Sequence, residues 1–172
     1  KPPGVLTTMK DPEGRTTIKE YLPEEMGRLF PVGRLDLHTR GLLILTNDGQ
    51  VANVLAHPRY QVPRLYQVVI VGKLDKKHKT QLERGIKLAE GITNPTKVRV
   101  LEIIQDHTKL ELTITQGWNR QIRRMFEYFD YSIKDIHRIE FGPIKLGRLG
   151  TGTVRRLQDS EVRALLRLTA ER

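Results

Sequence analysis

The sequence of 172 residues contains no cysteine. Disulfides, zinc–thiolate sites and thiol nucleophiles are therefore excluded. No apolar run approaches the length of a membrane span, since Leu42–Leu45 has only the length of a buried strand. The five histidines are scattered, without a pair at metal-binding spacing, so we expect no metal site. No signal peptide or transit segment is recognisable.

Acidic residues are too few to balance the basic ones. The chain has 20 Asp and Glu against 30 Lys and Arg, which gives a formal net charge of +10. A surplus of this size favours polyanions, chiefly nucleic acid, through phosphate contacts and counterion release. The other interpretation is a basic charge that serves only solubility.

The chain begins Lys1-Pro2-Pro3-Gly4, without an initiator methionine. We therefore expect a fragment or a processed chain, with residues missing upstream. A length of 172 residues suits one domain with a proper hydrophobic core. The composition, with 38% hydrophobic and 29% charged residues, is typical of a soluble globular protein.

Apolar periodicity and turn residues predict short strands interleaved irregularly with helices. Helices are predicted at residues 17–22, 50–56, 76–84 and 120–129, and strands at 42–46, 65–71, 97–104 and 109–115. Asp48 and Asp75 are the predicted caps of the second and third helices. A last helix is predicted after residue 158, capped by Asp159 or Ser160. Its predicted buried face consists of Val162, Leu165, Leu166 and Leu168. The pattern indicates an α+β fold and not a βαβ repeat.

Asp36 lies in the most informative segment of the chain. Arg34 stands two residues before it, between the Gly33 turn and an apolar strand. A carboxylate that attacks or stabilises the reacting centre of a glycosidic bond needs a nearby cation to keep it ionised. Arg34 and an arginine from elsewhere in the chain are candidates for that cation. The spacing is equally compatible with an aspartate that only anchors the turn after Gly33.

A second group of basic residues follows the turn at 116–119. Arg120, Arg123 and Arg124 have i, i+3, i+4 spacing and would share one face of a helix. Arginines in the first turn of a helix are unfavourable without an anionic partner, because the dipole is already positive there. The partner could be a phosphate or a catalytic carboxylate. A solvated basic face is the common alternative.

Aromatic residues supply a third, weaker signal. Tyr66 follows Arg64 in a predicted strand, and a tyrosine beside a basic residue can stack on an unstacked base. A tyrosine in a strand is more often part of the core. Trp118 lies in the turn before the arginine helix, where it could be a second stacking platform or a lid residue.

Taken together and in this order, these motifs resemble the RsuA/RluB/RluE/RluF family of ribosomal RNA pseudouridine synthases. The matching segments span nearly the whole chain. They are Lys1–Val5, Asp11–Arg15, Gly33–Leu42 and Asn119–Met125. The block GRLDxxTxGL, followed downstream by an NRQIRRM helix, is highly specific. Many relatives have Glu where this chain has Gln116, although Gln also occurs.

The resemblance implies an α+β fold with a mixed, mainly antiparallel sheet, flanking helices and a central RNA-binding cleft. Most relatives carry an N-terminal S4-like RNA-binding domain. Residues 1–172 would be the pseudouridine synthase catalytic domain without that module. No cofactor or metal is implied.

The resemblance also assigns residue roles. Asp36 would be the catalytic aspartate that breaks the N-glycosidic bond, and Arg123 would pair with it. Tyr66 would stack on the target base and assist proton removal. Ile139, or a neighbour within residues 138–141, would form an apolar wall of the pocket. Arg34 would fill the place that the uridine vacates. The residues expected to contact RNA are Arg34, Arg64, Asn119, Arg120, Gln121 and Arg124.

The implied function is isomerisation of a flipped-out uridine in ribosomal RNA, in a 23S stem-loop in preference to 16S. The implied enzyme is a cytoplasmic monomer with no membrane partner. The alternative is a non-catalytic basic module for RNA binding or ribosome assembly. A carboxylate-dependent glycosidase or nuclease is weaker, because it would need a second acid or metal ligands. Asp48, the nearby candidate, is already the predicted helix cap.

Overall fold

The computed structural model describes residues 1–170. Within them the chain forms ten strands, four α-helices and three short 3₁₀ helices. The strands are β1 Phe30–Pro31, β2 Arg40–Gly41, β3 Leu45–Thr46, β4 Arg64–Val71, β5 Lys87–Leu88, β6 Gly91–Ile92, β7 Lys97–Ile104, β8 His107–Ile114, β9 Ile133–Phe141 and β10 Ile144–Lys145. The helices are α1 Gly49–Ala56, α2 Lys76–Arg84, α3 Gln121–Glu127 and α4 Asp159–Ala170, and the 3₁₀ helices are Ile18–Tyr21, Glu24–Met26 and Pro58–Tyr60.

The largest sheet has the strand order β10-β9-β4-β8-β7, and β2 also pairs with β9. The strand pairs β1–β3 and β5–β6 are separate. The pairs with a resolved register, which include β4–β8 and β7–β8, are antiparallel. The predicted α+β fold with a mainly antiparallel sheet is confirmed.

The chain divides into two compact units. The first unit contains Lys1–Val62 and the described residues from Arg138 onward. The second unit is Pro63–His137. The boundary falls within β9, so this strand belongs to both units.

Helix α1 organises the core of the first unit. The Asp48 side chain caps it by accepting hydrogen bonds from the backbone N–H groups of Gln50 and Val51, at 2.8 and 3.1 Å. The predicted cap is therefore confirmed. The buried core of this unit consists of Val32, Leu42, Ile44, Val51, Val54, Leu55, Tyr60, Val62, Phe141, Ile144 and Leu165.

Helix α4 packs on this core by a narrower face than predicted. Leu165 is buried and Leu168 packs against the core. Val162 and Leu166, which were predicted to be buried, are 40% and 49% exposed. Periodicity shows which residues share a face, but the width of the buried stripe depends on the partner surface.

The predicted strand at 42–46 is also different in the structure. Residues Leu42–Ile44 lie between two short strands, β2 and β3, which have different partners. Leu42 donates its backbone N–H to Arg138, next to the pairing of β2 with β9, whereas β3 pairs with β1. The extended segment changes partner, so no single ladder covers it.

The second unit is built on β4, β8 and β7. Alternate residues of β4 are buried, namely Arg64, Tyr66, Val68 and Ile70. Asp75 caps α2 as predicted, since its side chain accepts a hydrogen bond of 2.6 Å from the Lys77 N–H. The predicted strand at 97–104 is β7, and those at 65–71 and 109–115 correspond to β4 and β8 with ends shifted by at most two residues.

Candidate active site

Asp36 lies in a loop of the first unit that backbone atoms and one threonine hold in place. Thr7 Oγ1 donates to the Leu35 carbonyl at 2.9 Å and accepts from the Leu35 N–H at 3.2 Å. The Leu35 side chain is buried. Gly4 donates its N–H to the Leu37 carbonyl at 2.8 Å. The residues on both sides of Asp36 are therefore fixed against the N-terminal segment.

The half-buried Asp36 side chain is not used to close this loop. The turn is closed by the Asp36 backbone carbonyl, which accepts from the Thr39 N–H at 3.0 Å. Gly33 has a φ of 67°, a conformation that glycine adopts without strain. An aspartate that anchored the turn would use its carboxylate, so the geometry favours the other interpretation, a carboxylate available for chemistry.

A lysine that sequence reasoning missed interacts electrostatically with Asp36. Lys1 Nζ donates to the carbonyls of Pro2 and Leu37, at 2.7 and 3.2 Å. Burial lowers the pKa of the Lys1 side chain to about 8, and the Asp36 charge acts in the opposite direction. Arg34 is exposed on the same loop. The signal that could have found Lys1 is its place in the Lys1–Val5 segment of the family resemblance.

Tyr66 and Arg64 lie on the same face of β4 in the second unit. Tyr66 is 7% exposed and stands opposite Leu112 of β8. Arg64 is also 7% exposed, and its Nη1 donates to the carbonyls of Thr115 and Gln116 at 3.5 and 3.4 Å. These hydrogen bonds hold the chain at the end of β8. Arg64 therefore has a structural role that was not expected from the sequence, where it was predicted to contact RNA.

Glutamine side chains close the turn that leads into α3. Gln121 is 4% exposed, accepts from the Trp118 N–H at 3.1 Å, and donates to Gln116 Oε1 at 3.2 Å. Gln116 Oε1 also accepts from the Asn94 N–H at 2.8 Å. The expected RNA contact of Gln121 is thus accompanied by a structural role. Asn119 is exposed in the same turn.

The three arginines of this region have different environments. Arg120 precedes α3 with a φ of 48°, so it does not share the helical face that its spacing predicted. Arg124 forms a bidentate ion pair with Glu90, at 2.6 and 2.7 Å. Their hydrogen bonds lower the pKa of Glu90 and raise that of Arg124. Arg123 is half-buried and has no acidic partner among the described residues of its own unit.

The predicted site residues are therefore distributed over both units. Asp36, Arg34 and Ile139 belong to the first unit. Tyr66, Arg64 and residues 119–124 belong to the second. Within residues 1–170, no group of three or more His, Asp or Glu side chains is placed to hold a metal ion. No helix in the same range is long and apolar enough to cross a bilayer.

Comparison with known proteins identifies the family. A family model described as RNA pseudouridylate synthase matches residues 1–128. The chain belongs to this family of isomerases. The resemblance predicted from its motifs is therefore confirmed.

Proteins with similar sequences are also named as pseudouridine synthases. The chain is 40% identical over 168 residues to an uncharacterized RNA pseudouridine synthase of Aquifex aeolicus, covering 97% of this chain and 68% of the relative. It is 40% identical over 167 residues to ribosomal large subunit pseudouridine synthase B of Bacillus subtilis, covering 96% and 68%. The protein of the same name in Haemophilus influenzae is 38% identical over 147 residues, covering 85% and 41%.

Solved structures show the same fold. A crystal structure of a pseudouridylate synthase superposes with a TM-score of 0.86 at 30% identity, covering 96% of this chain and 70% of that one. A chain of an H/ACA RNP bound to a substrate RNA containing 2′-deoxyuridine gives a TM-score of 0.60 at 17% identity, covering 84% and 46%. The second similarity shows a shared fold alone.

Proposed function

We propose that this chain converts a specific uridine of large-subunit (23S) ribosomal RNA to pseudouridine, with Asp36 as the catalytic carboxylate. One observation carries the proposal. The loop around Asp36 is closed by backbone atoms and Thr7, which leaves the half-buried carboxylate available, in electrostatic interaction with Lys1. The 40% identity to a large subunit synthase supports the choice of RNA. A ribosomal substrate implies a cytoplasmic enzyme, and we propose that it acts as a monomer.

The proposed reaction balances without an external reagent. The N1–C1′ bond of the uridine breaks and a C5–C1′ bond forms. The proton on C5 is lost, and N1 of the detached ring gains one. Asp36 acts on the glycosidic bond, and its ionised form is required because a neutral acid is a poor nucleophile and a poor stabiliser of positive charge.

Three further residues complete the proposed machinery. Tyr66 holds the extruded base by stacking and assists removal of the C5 proton. Arg123 is the charge partner of Asp36, a role supported by the absence of an acidic partner for it among the described residues of its own unit. Arg34, exposed on the Asp36 loop, fills the place of the flipped base. Its insertion offsets part of the cost of unstacking, which is a few kcal/mol.

The net charge of +10 supports binding of the RNA backbone. Residues 1–172 are proposed to be the catalytic domain, with no S4-like module among them. The Arg120 and Asn119 side chains, both exposed, are the proposed RNA contacts at the start of α3.

The deciding experiment compares Asp36→Asn with the wild-type chain on transcribed 23S and 16S RNA. New pseudouridines are mapped by chemical derivatisation, and RNA affinity is measured in parallel. We expect Asp36→Asn to lose at least about a thousandfold in turnover while its RNA affinity is retained. Asp75→Asn is the matched control, because it removes the same charge from an exposed helix cap and leaves a residue that also caps well.

The non-catalytic alternative makes the opposite prediction. An RNA-binding or assembly module, which the net charge alone would favour, forms no pseudouridine on any native ribosomal RNA. Its Asp36→Asn variant should bind RNA more tightly, since a negative charge is removed. Wild-type turnover by Asp36→Asn would overturn the catalytic role of this residue.

A further inference from the structure

The tip of the β5–β6 hairpin lies against α3 in the second unit. Glu90, in the turn between β5 and β6, forms the bidentate ion pair with Arg124, with Oε2 2.6 Å from Nη1 and Oε1 2.7 Å from Nη2. Gly91, the next residue, faces the turn before α3, since a Cβ at this position would lie 3.9 Å from the Trp118 ring. The proposed reaction assigns no role to this hairpin.

The ion pair engages the accessible part of both charged groups. Both carboxylate oxygens and both terminal nitrogens take part, which is the geometry in which an arginine also binds a phosphate. The Arg124 Nε is buried, so the two terminal nitrogens are the ones that an anion can reach. The hydrogen bonds lower the pKa of Glu90 and raise that of Arg124, so both groups are charged at neutral pH. The Arg124 guanidinium is therefore already paired with an anion before RNA binds.

Helix α3 contains no acidic residue in its first turn. Arg120, which precedes the helix, has a left-handed backbone conformation, and its side chain makes no capping hydrogen bond. Arg123 and Arg124 follow near the positive end of the helix dipole, where cations are unfavourable. Glu90 supplies, from a distant part of the chain, the anion that the first turn lacks. It neutralises one of these two arginines and leaves the other, Arg123.

This difference matters because adjacent arginines compete for the same anions. In the proposed reaction Arg123 is the charge partner of Asp36. A second free guanidinium at the next position would attract the same carboxylate, and it would attract RNA phosphates as well, since an arginine binds both with the same fork of donors. The ion pair with Glu90 removes this competitor from α3 while the Arg124 side chain keeps its place on the helix.

We propose that Glu90 is a positioning residue that withholds Arg124 from the RNA and from Asp36, so that Arg123 is the arginine of α3 that acts in the reaction. Glu90 works through Arg124 and takes no part in the chemistry. Arg124 then makes no contact with an RNA phosphate in the wild-type protein, in contrast to the expectation from the sequence. The effect on turnover rests on the proposed function, whereas the effect on RNA binding does not.

The test compares the wild-type chain with Glu90→Gln, with the double variant Glu90→Gln/Arg124→Gln and with Glu111→Gln. Glu111→Gln is the matched control, because it removes the same charge in the same unit and releases Arg99, which lies on β7 and not on α3. Pseudouridine formation on transcribed 23S RNA gives kcat and KM. Filter binding of the same RNA at several salt concentrations gives the affinity and its salt dependence.

We expect Glu90→Gln to bind the RNA about five- to tenfold more tightly at 0.1 M salt, with a salt dependence steeper by about one phosphate contact, because Arg124 is released. Its kcat should nevertheless fall at least about fivefold, since Arg124 now competes with Arg123. The double variant removes the competitor, so its RNA affinity, salt dependence and kcat should return towards the wild-type values. Glu111→Gln should leave kcat unchanged.

Three results would overturn the proposal. A double variant with a kcat as low as that of Glu90→Gln, or lower, would show that the ion pair only fastens the hairpin to α3. Unchanged RNA affinity and salt dependence in Glu90→Gln would show that a released Arg124 binds no phosphate. A wild-type kcat in Glu90→Gln would show that Arg124 does not compete with Arg123. If the wild-type chain forms no pseudouridine, the proposed function fails, and the binding measurements alone decide whether Glu90 withholds Arg124 from RNA.

Discussion

The loop at 33–41 and the turn at 115–121 are closed in opposite ways. Backbone groups and Thr7 close the first, and the Asp36 carboxylate takes no part in it. Side chains close the second, because those of Gln121 and Arg64 form hydrogen bonds with backbone groups of the turn. A polar side chain in a loop is available for chemistry only when other groups make the hydrogen bonds that hold the loop. The two regions thus separate candidate catalytic residues from structural ones.

Among the substitutions that test this difference between the two regions, Arg123→Glu should cause the largest loss of turnover. If Arg123 is the charge partner of Asp36, reversing its charge leaves two carboxylates together, and turnover should fall at least about a thousandfold. Arg120→Glu is the control, since Arg120 is exposed and lies 3.7 Å from Glu127. It should weaken RNA binding modestly and in a salt-dependent way. Near-normal turnover by Arg123→Glu would disprove the pairing.

Gln121→Ala should destabilise the side-chain-closed turn. It leaves the Trp118 N–H without its partner and removes one of the two hydrogen bonds to Gln116 Oε1, both in a partly buried site, which costs about 1–3 kcal/mol in the free energy of unfolding. Asn119→Ala, in the same turn but exposed, should change this free energy by less than about 0.5 kcal/mol. Chemical denaturation of both variants checks the difference. Equal stabilities would mean that the glutamine network is not what holds the turn.

Thr7→Val tests the backbone-closed loop with a smaller change. The substitution keeps the shape of the side chain and removes both hydrogen bonds to Leu35. We expect a loss of about 1 kcal/mol in the free energy of unfolding and of about tenfold in kcat, because Asp36 is held less precisely. Thr8→Val is the control, since the Thr8 hydroxyl bonds to the exposed Lys10 backbone and not to the Asp36 loop. A turnover loss of the same size in both variants would contradict the anchoring role.

Lys1 gives the smallest effect, through pH. Its folded pKa of about 8 lies below the usual value of 10.5 for lysine, so the unfolded chain binds more protons between these two values. This side chain therefore makes the free energy of unfolding rise as the pH increases from about 8 to 10.5. Lys1→Met removes this contribution and keeps the terminal amine. The difference between wild type and variant, followed by denaturation across this range, should increase with pH, and a flat or falling difference would contradict the burial of Lys1.

The helices of this protein were largely predictable because their signals are local. Asp48 and Asp75 cap α1 and α2 where the sequence placed them, since a cap needs only the next two or three residues. Strand β9 was not predicted. Its residues Ile133, Ile136 and Ile139 recur at every third position, so the alternation typical of a half-buried strand is absent. Arg138 is also buried in this strand, and a charged residue at a buried position further obscures the pattern.

The arginines at residues 120–124 mark the limit of sequence reasoning about the site. Their spacing treats Arg120, Arg123 and Arg124 alike. Glu90 lies 34 residues before Arg124 in the chain, and no local sequence pattern at either residue predicts their ion pair. The Lys1 side chain was missed for the same reason, because its effect on Asp36 depends on a loop 35 residues downstream in the chain, which folds back onto it through the Lys1–Gly41 pair.

The sequence by itself determined the family, the α+β class, the capped helices and Asp36 as the candidate carboxylate. Each of these depends on residue identity at short spacing, which a chain carries whether or not it is folded. Only the tertiary structure decided which polar side chains are already engaged and where the segment 42–46 changes partner. Those outcomes depend on hydrogen bonds and burial between distant segments, and these exist only when the chain is folded.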